Sequence, residues 1–211
     1  MKRSFALAIC APSGAGKTTV ACALVERSDE FIFSVSATTR SIRPGERDGV
    51  DYHFVGRDEF DAMIRNDELL EWAEVHGELY GTRRANLEDA ERQGRLLILD
   101  IDVQGARQVV EALSDTVTIF LLPPSFDALM ERLRQRGSED ASRLRRRLET
   151  AKNELKCVDE FQYVVINDRL DDTVERIRTI VAAERQRLSR RRAEIGELRR
   201  QLQEGLERQS L

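Results

Sequence analysis

Residues 5–18 read Phe5-Ala6-Leu7-Ala8-Ile9-Cys10-Ala11-Pro12-Ser13-Gly14-Ala15-Gly16-Lys17-Thr18, and the reading of this junction decides the fold. A short, continuously apolar run is what a strand buried on both faces requires. Gly14 and Gly16 then allow the backbone to curl with its N–H groups inward, Lys17 brings a point charge, and Thr18 offers a hydroxyl to Mg²⁺. Residues Ser13, Gly14, Ala15, Gly16, Lys17, Thr18 and Thr19 therefore read as a loop that cradles the phosphates of a nucleoside triphosphate. Val20, Ala23 and Leu24 follow at helical spacing, so the loop lies between strand and helix, the context such a loop needs. Ala11 stands where the general pattern begins with Gly.

Further apolar runs recur downstream at Phe31 to Val35, Leu96 to Leu99, Val117 to Leu122 and Tyr163 to Ile166, with amphipathic helical patterns between them. Alternation of that kind predicts an α/β fold: a five-stranded parallel sheet flanked by helices. Residues 36–94 differ in character, with short alternating segments, turns at Pro44-Gly45 and Asp48-Gly49, and two short helix patterns. They read as a small α/β insertion beside the carboxyl ends of the strands, where ligands of open α/β sheets bind. The expected organisation is a core of residues 1–35 and 95–190, the insertion at 36–94, a helical lid at about 136–148 where Gly137-Ser138-Glu139-Asp140 interrupts a helix, and a charged tail at 191–211.

The bulk numbers bound this picture. With 211 residues, 41% apolar and 34% charged, the chain suits one ordinary domain with inserted pieces. Its net charge of −4 argues against general nucleic-acid affinity, although Arg, which dominates the basic residues, clusters at Arg132 to Arg147 and Arg185 to Arg200. Cys10, Cys22 and Cys157 form no CxxC pair and read as reduced thiols of a cytoplasmic protein; with His53 and His76 they make no zinc site. No segment reads as membrane-spanning. A final helix is expected to begin near Asp171 and to run on through the tail. Leu188, Ile195 and Leu202 repeat there at seven, so the chain is expected to be a monomer or a weak homo-oligomer through this helix, Gly196 and Gly205 weakening the repeat.

Several polar residues exceed what a scaffold needs. In Ser36 to Glu46, Arg40 and Arg43 lie three apart after a strand, and with the phenols of Tyr52 and Tyr80 they could bind one phosphate dianion. Glu71 stands in a largely apolar strand. A carboxylate only accepts, so a partly buried one suits a ligand with paired donors, such as guanine N1–H and N2–H₂, with Ser36 and Thr82 completing the base edge; a salt bridge to an Arg is the plain alternative. The run Leu96-Leu97-Ile98-Leu99-Asp100-Ile101-Asp102 ends a strand in two acids, Asp100 where a Mg²⁺-associated carboxylate is expected and Asp102 either facing the acceptor or capping the next helix.

The chain resembles the guanylate kinases from Phe5 to about Asp172. The motifs that carry the resemblance are Ala-Pro-Ser-Gly-Ala-Gly-Lys-Thr, Ser-Val-Ser-Ala-Thr-Thr-Arg, Asp-Tyr-His-Phe-Val, Glu-Trp-Ala, Tyr-Gly-Thr, Leu-Asp-Ile-Asp with Gln104-Gly105, Arg136-Gly137 and Ile166-Asn167-Asp168. The resemblance implies transfer of the γ-phosphoryl group of MgATP to GMP, with dGMP as a further acceptor to test. It implies that Arg40, Arg43, Tyr52 and Tyr80, with Glu46 beside them, hold the GMP phosphate, and that Ser36, Glu71, Thr82 and Asp102, with Asp100 near, read guanine. It also implies that Arg132, Arg136 and Arg147 close on the ATP phosphates, that Asn167 lies near adenine, and that Thr18 and Asp100 hold Mg²⁺, the latter through water. Lys17, Arg40, Arg136 and Arg147 are then the catalytic cations. Ala11 is common in the family, and Ala37 replaces a more usual polar residue.

Two alternatives share parts of this pattern. A ribose bisphosphate phosphokinase has the same loop and an Arg-Gly lid, but an acceptor without a base has no use for Ser36, Glu71 and Thr82 together. A non-catalytic phosphopeptide-binding module of the same fold usually has a damaged phosphate loop, whereas Gly16-Lys17-Thr18 is whole here.

Overall fold

The computed structural model describes residues 5–75, 77–135 and 141–209, without the side chains of residues 135 and 141–143. Arg136 and the Gly137 to Asp140 interruption lie outside the described residues, as does His76. The described residues form two compact units that part between Val174 and Glu175.

The first unit is built on a parallel sheet. β1 (Leu7–Cys10), β2 (Phe31–Phe33), β7 (Leu96–Asp100), β8 (Val117–Leu122) and β9 (Tyr163–Ile166) align in the order β2-β7-β1-β8-β9. The five expected apolar runs supply these five strands. β1 lies between β7 and β8, so both its edges are paired, helices α1 (Lys17–Glu26) and α4 (Val103–Ala112) pack on it, and Leu7, Ala8, Ile9 and Cys10 are fully buried. The pairing of Ile9 with Asp100 brings the acidic end of β7 beside the point where β1 enters the phosphate loop. Helix α1 then returns across the sheet with Val20, Ala21, Ala23 and Leu24 buried.

A second, four-stranded sheet occupies the insertion. β3 (Ala37–Thr38), β4 (His53–Phe54), β5 (Leu69–Val75) and β6 (Glu78–Arg83) lie in the order β4-β3-β6-β5, with α2 (Arg57–Arg65) and α3 (Arg84–Gln93) as the two short helices. Its small core is Ala37, Phe60, Met63, Leu69 and Leu79. The sheet meets the main domain at α4 (Val103–Ala112), where the Gln108 side-chain amide donates to the Trp72 carbonyl (2.8 Å) and accepts from the Trp72 N–H (3.1 Å). One side chain thus satisfies both backbone groups of Trp72 on the open edge of β5.

Helices α5 (Phe126–Gln135) and α6 (Ala141–Leu155) complete the residues around the loop. The expected single C-terminal helix is divided into α7 (Leu170–Arg185) and α8 (Leu188–Gln209). At the break, Gln186 and Arg187 bond to carbonyls three residues back, which tightens the turn and ends α7. Glu184 is 1% exposed and accepts from both Arg187 and Arg190, so a buried carboxylate joins the two helix ends.

Phe60 is fully buried at the centre of the insertion's core. Phe60→Ala is expected to destabilise the protein by about 3–5 kcal/mol. Urea denaturation checks this, and a loss below about 1 kcal/mol would show that the insertion does not depend on that core.

Candidate functional site

The loop between β1 and α1 is shaped by contacts that the sequence pattern left open. Gly14 (φ +91°) and Gly16 (φ +89°) have left-handed backbones, and a Cβ on Gly16 would meet Asn167 Nδ2 at 2.7 Å. Asn167 is 6% exposed and its atoms have partners: Nδ2 donates to the Ala15 carbonyl (2.7 Å) and Oδ1 accepts from the Thr173 hydroxyl (3.1 Å). Arg132 donates to the same Ala15 carbonyl (3.2 Å) and to the Asn167 carbonyl (3.1 Å). Two side chains expected on the nucleotide thus hold the loop itself. With its carbonyl held by Asn167 and Arg132 and its N–H bonded to the Pro12 carbonyl (2.9 Å), Ala15 is fixed at the turn of the loop.

Lys17, Thr18 and Asp100 form the chemical centre. Asp100 takes an ion pair from Lys17 Nζ (2.9 Å) on one oxygen and the Thr18 hydroxyl (2.6 Å) on the other, while Lys17 also donates to the Ile101 carbonyl (2.5 Å). Burial pulls the Lys17 ammonium down, but the charge and hydrogen bond of Asp100, together with smaller contributions from Cys10 and Glu154, outweigh it, and the pKa is raised. Lys17 therefore stays a cation throughout the working pH range. Thr18 and Thr19 are exposed at the start of α1, where the helix dipole favours negative charge. The Thr18 hydroxyl and Asp100 carboxylate are hard oxygen donors side by side, a set that suits Mg²⁺ keeping most of its waters. Among the described residues no group of three or more His, Cys, Asp or Glu forms a metal-ligand cluster.

The insertion brings the other expected residues together. Arg40 lies over the Tyr52 ring (5.4 Å to the centroid), Tyr52 meets Tyr80 edge-on (5.9 Å between centroids), and both Arg40 guanidinium ends pair with Glu46 (2.8 and 3.0 Å). The bidentate bond to Glu46, followed by a bond to Tyr80, raises the Arg40 pKa against the opposing pull of desolvation. Glu46 also accepts from the Arg43 N–H (2.8 Å), so one carboxylate holds both the Arg40 guanidinium and the backbone of the turn that bears the exposed Arg43. Burial and then the charge of Asp100 push the Tyr52 phenol up, so it keeps its proton and can donate to an anion.

Glu71 and Thr82 face each other across β5 and β6, and the Thr82 hydroxyl donates to Glu71 Oε1 (2.7 Å). Glu71 is 6% exposed and Thr82 fully buried. Ser36, at half-burial, contributes its carbonyl to His53 N–H (2.9 Å). Glu71 Oε2 points at the start of α4: a Cβ on Gly105 would lie 2.7 Å from it. Asp102 caps this helix through the Gly105 N–H (2.8 Å), so the capping alternative for Asp102 is realised, with Glu71 and Asp102 as neighbours. Burial drives the Glu71 pKa up; the Thr82 bond works against it and the Asp102 charge adds to it.

Three residues of this arrangement were not singled out from the sequence as site residues. Gly105 is required by the close approach of Glu71, Gln108 docks the insertion, and Glu154 Oε2 accepts from the Ser13 N–H of the phosphate loop (3.0 Å). Gly105 belongs to the Leu-Asp-Ile-Asp motif with Gln104, and Glu154 falls seven residues after Arg147 on one helical face, whereas nothing local marks Gln108.

A family model described as guanylate kinase matches residues 3–184. A guanylate kinase of Thermotoga maritima is 47% identical over 187 residues, covering 89% of this chain and 90% of the relative. One of Syntrophotalea carbinolica is 46% identical, covering 94% and 95%. The crystal structure of guanylate kinase from Anaplasma phagocytophilum superposes with a TM-score of 0.72 at 37% identity, covering 90% of each chain.

The raised Glu71 pKa has a consequence for stability. The folded protein holds this proton more tightly than the unfolded chain does, so the site loses stability as pH rises above the ordinary value of 4.5. Glu71→Gln, whose amide oxygen can still accept from Thr82, is expected to raise the Tm at neutral pH and to lose that advantage below about pH 4.5. Thermal melts of both proteins across that range check it; a Tm difference independent of pH would contradict the assignment.

Proposed function

The chain belongs to the guanylate kinase family, and we propose that it transfers the γ-phosphoryl group of MgATP to GMP, yielding ADP and GDP. The observation that carries this reading is the pairing of two sites. A phosphate loop with Lys17 and Thr18 on Asp100 stands beside a buried carboxylate, Glu71, held by Thr82 and Gly105. Glu71 would accept from guanine N1–H and N2–H₂, with Ser36, Thr82 and Asp102 around the base edge; adenine presents an acceptor at N1 and would leave the carboxylate unsatisfied. Arg40, Arg43, Tyr52 and Tyr80 would hold the acceptor phosphate, for which Arg40 must share or exchange its Glu46 partner.

The acceptor is a phosphate oxygen already ionised at neutral pH, so no side chain need remove a proton from it. The barrier lies in bringing two polyanions together and in stabilising charge on the transferred group, which calls for cations and orientation. Lys17, fixed between Asp100 and the Ile101 carbonyl, would meet the β- and γ-phosphates, and Arg147 on α6 would add charge from the other side. Arg136 is assigned the same role by its motif. Arg132 and Asn167 would act through the loop they hold, Asn167 also lining the adenine side. Thr18 and, through water, Asp100 would hold Mg²⁺, which neutralises phosphate charge when bound.

For its setting, no helix among the described residues is long and apolar enough to cross a membrane, and Cys10, Cys22 and Cys157 are free thiols, which fits a cytoplasmic place of action. On α8, Leu188, Leu198, Leu202 and Leu206 are exposed, which fits a monomer or a weak homo-oligomer through this helix.

In a coupled assay with MgATP, GMP is expected to be phosphorylated far faster than AMP or UMP. Lys17→Met is expected to lower kcat by about a thousandfold with the circular dichroism spectrum retained; near-normal turnover would overturn the assignment. Glu71→Gln is expected to raise the KM for GMP about tenfold or more, with the KM for ATP within about twofold of its starting value. Equal effects on both would contradict the reading of Glu71 as the guanine acceptor.

A further inference from the structure

Glu154 has no part in the reaction as proposed, yet it lies against the loop on which that reaction depends. Its Oε2 accepts the Ser13 N–H at 3.0 Å, across 141 positions of sequence. Its carboxylate faces charged neighbours. Burial drives its pKa up, the Ser13 bond and the Lys17 charge act in the opposite sense, and Asp102 adds to the rise. Half-buried carboxylates are unfavourable beside a site that must receive a polyanion, so its position asks for a physical reason.

The pattern of burial along α6 supplies one. Leu144, Arg147, Leu148, Ala151 and Glu154 are the partly or fully buried positions among its described side chains through Glu154, at spacings of three and four, which is one face of the helix. Ala151, at 2% exposure, is packed inward between Arg147 and Glu154. The bond to Ser13 therefore fastens the C-terminal turn of the face that bears Arg147, about two turns or about 10 Å further back. A hydrogen bond at one end of a rigid helix sets both the rotation of the helix and its distance from the loop, and an error of about 1 Å in placing a charged group can lower a rate about a hundredfold.

We infer that Glu154 is a positioning residue, which fixes α6 on the Pro12–Ser13 peptide so that Arg147 is presented to the transferring phosphoryl group in register with the loop. The inference rests on the proposed role of Arg147. What acts is the acceptor oxygen of Glu154 rather than its charge, because the group it holds is a neutral peptide N–H.

The test compares purified Glu154→Ala, Glu154→Gln, Arg147→Ala and the Glu154→Ala/Arg147→Ala double variant in the GMP assay, with thermal melts alongside. Glu154→Ala is expected to lower kcat about tenfold with the KM for GMP within about twofold, and Glu154→Gln, whose amide oxygen can accept from Ser13, to recover kcat to within about twofold of the parent. Because Glu154 acts through Arg147, the double variant is expected to be no slower than Arg147→Ala alone. Should Ala impair folding, Glu154→Met, of similar volume and without an acceptor oxygen, takes its place. A Gln variant as slow as Ala, unchanged kcat in the variant lacking an acceptor, or multiplicative losses in the double variant would each overturn the inference. Unchanged kcat in Arg147→Ala would instead remove the role of Arg147, and the inference with it, so the two failures are told apart.

Discussion

Asp100 is the point on which the site turns. It ends β7 opposite Ile9 of β1, and it takes the Lys17 ammonium on one oxygen and the Thr18 hydroxyl on the other. Remove that pairing and the loop loses the fixed direction of its one cation. A lysine on a flexible stem would otherwise sample many rotamers, at an entropic cost on binding; held between Asp100 and the Ile101 carbonyl, it is ordered in advance. The parallel register of β1 and β7 makes this geometry available, so the central sheet serves the chemistry as well as the core.

The same logic recurs around the site. Asn167 and Arg132 hold the Ala15 carbonyl, Glu154 holds the Ser13 N–H, and Glu46 holds Arg40 and the backbone of Arg43. Groups that must meet phosphate are kept oriented by partners that do not. Glu71 is the costly member: its burial, with the charge of Asp102 at the start of α4, opposes the charge that guanine recognition needs, and the Thr82 bonds and the Lys17 charge offset part of that penalty.

Much of this was legible in the sequence, for identifiable reasons. The five sheet strands announce themselves as apolar runs because strands covered on both faces tolerate little else. Gly14, Gly16, Lys17 and Thr18 are contiguous, so their joint geometry is local. Glu71 stood out because a carboxylate in an apolar run needs an explanation. What stayed hidden depends on long-range contacts: Ala15 to Asn167 spans 152 positions, and no local pattern shows that the Asn167 amide is turned onto the loop. Gly105 stands in a motif, but only the approach of Glu71 to within 2.7 Å of where its Cβ would lie shows why glycine is needed there. The division of the last helix at Gln186 and Arg187 escaped notice because no Gly or Pro marks it; a buried glutamate, Glu184, accompanies the turn instead.

The central claim is that Glu71 reads the donor edge of guanine. Calorimetric titration of the protein with GMP and with IMP, which differ only in the N2 amino group, tests it without the complications of turnover. The account predicts that IMP binds about ten- to a hundredfold more weakly, the loss of one hydrogen bond to a charged acceptor. Equal affinities for the two nucleotides would contradict it.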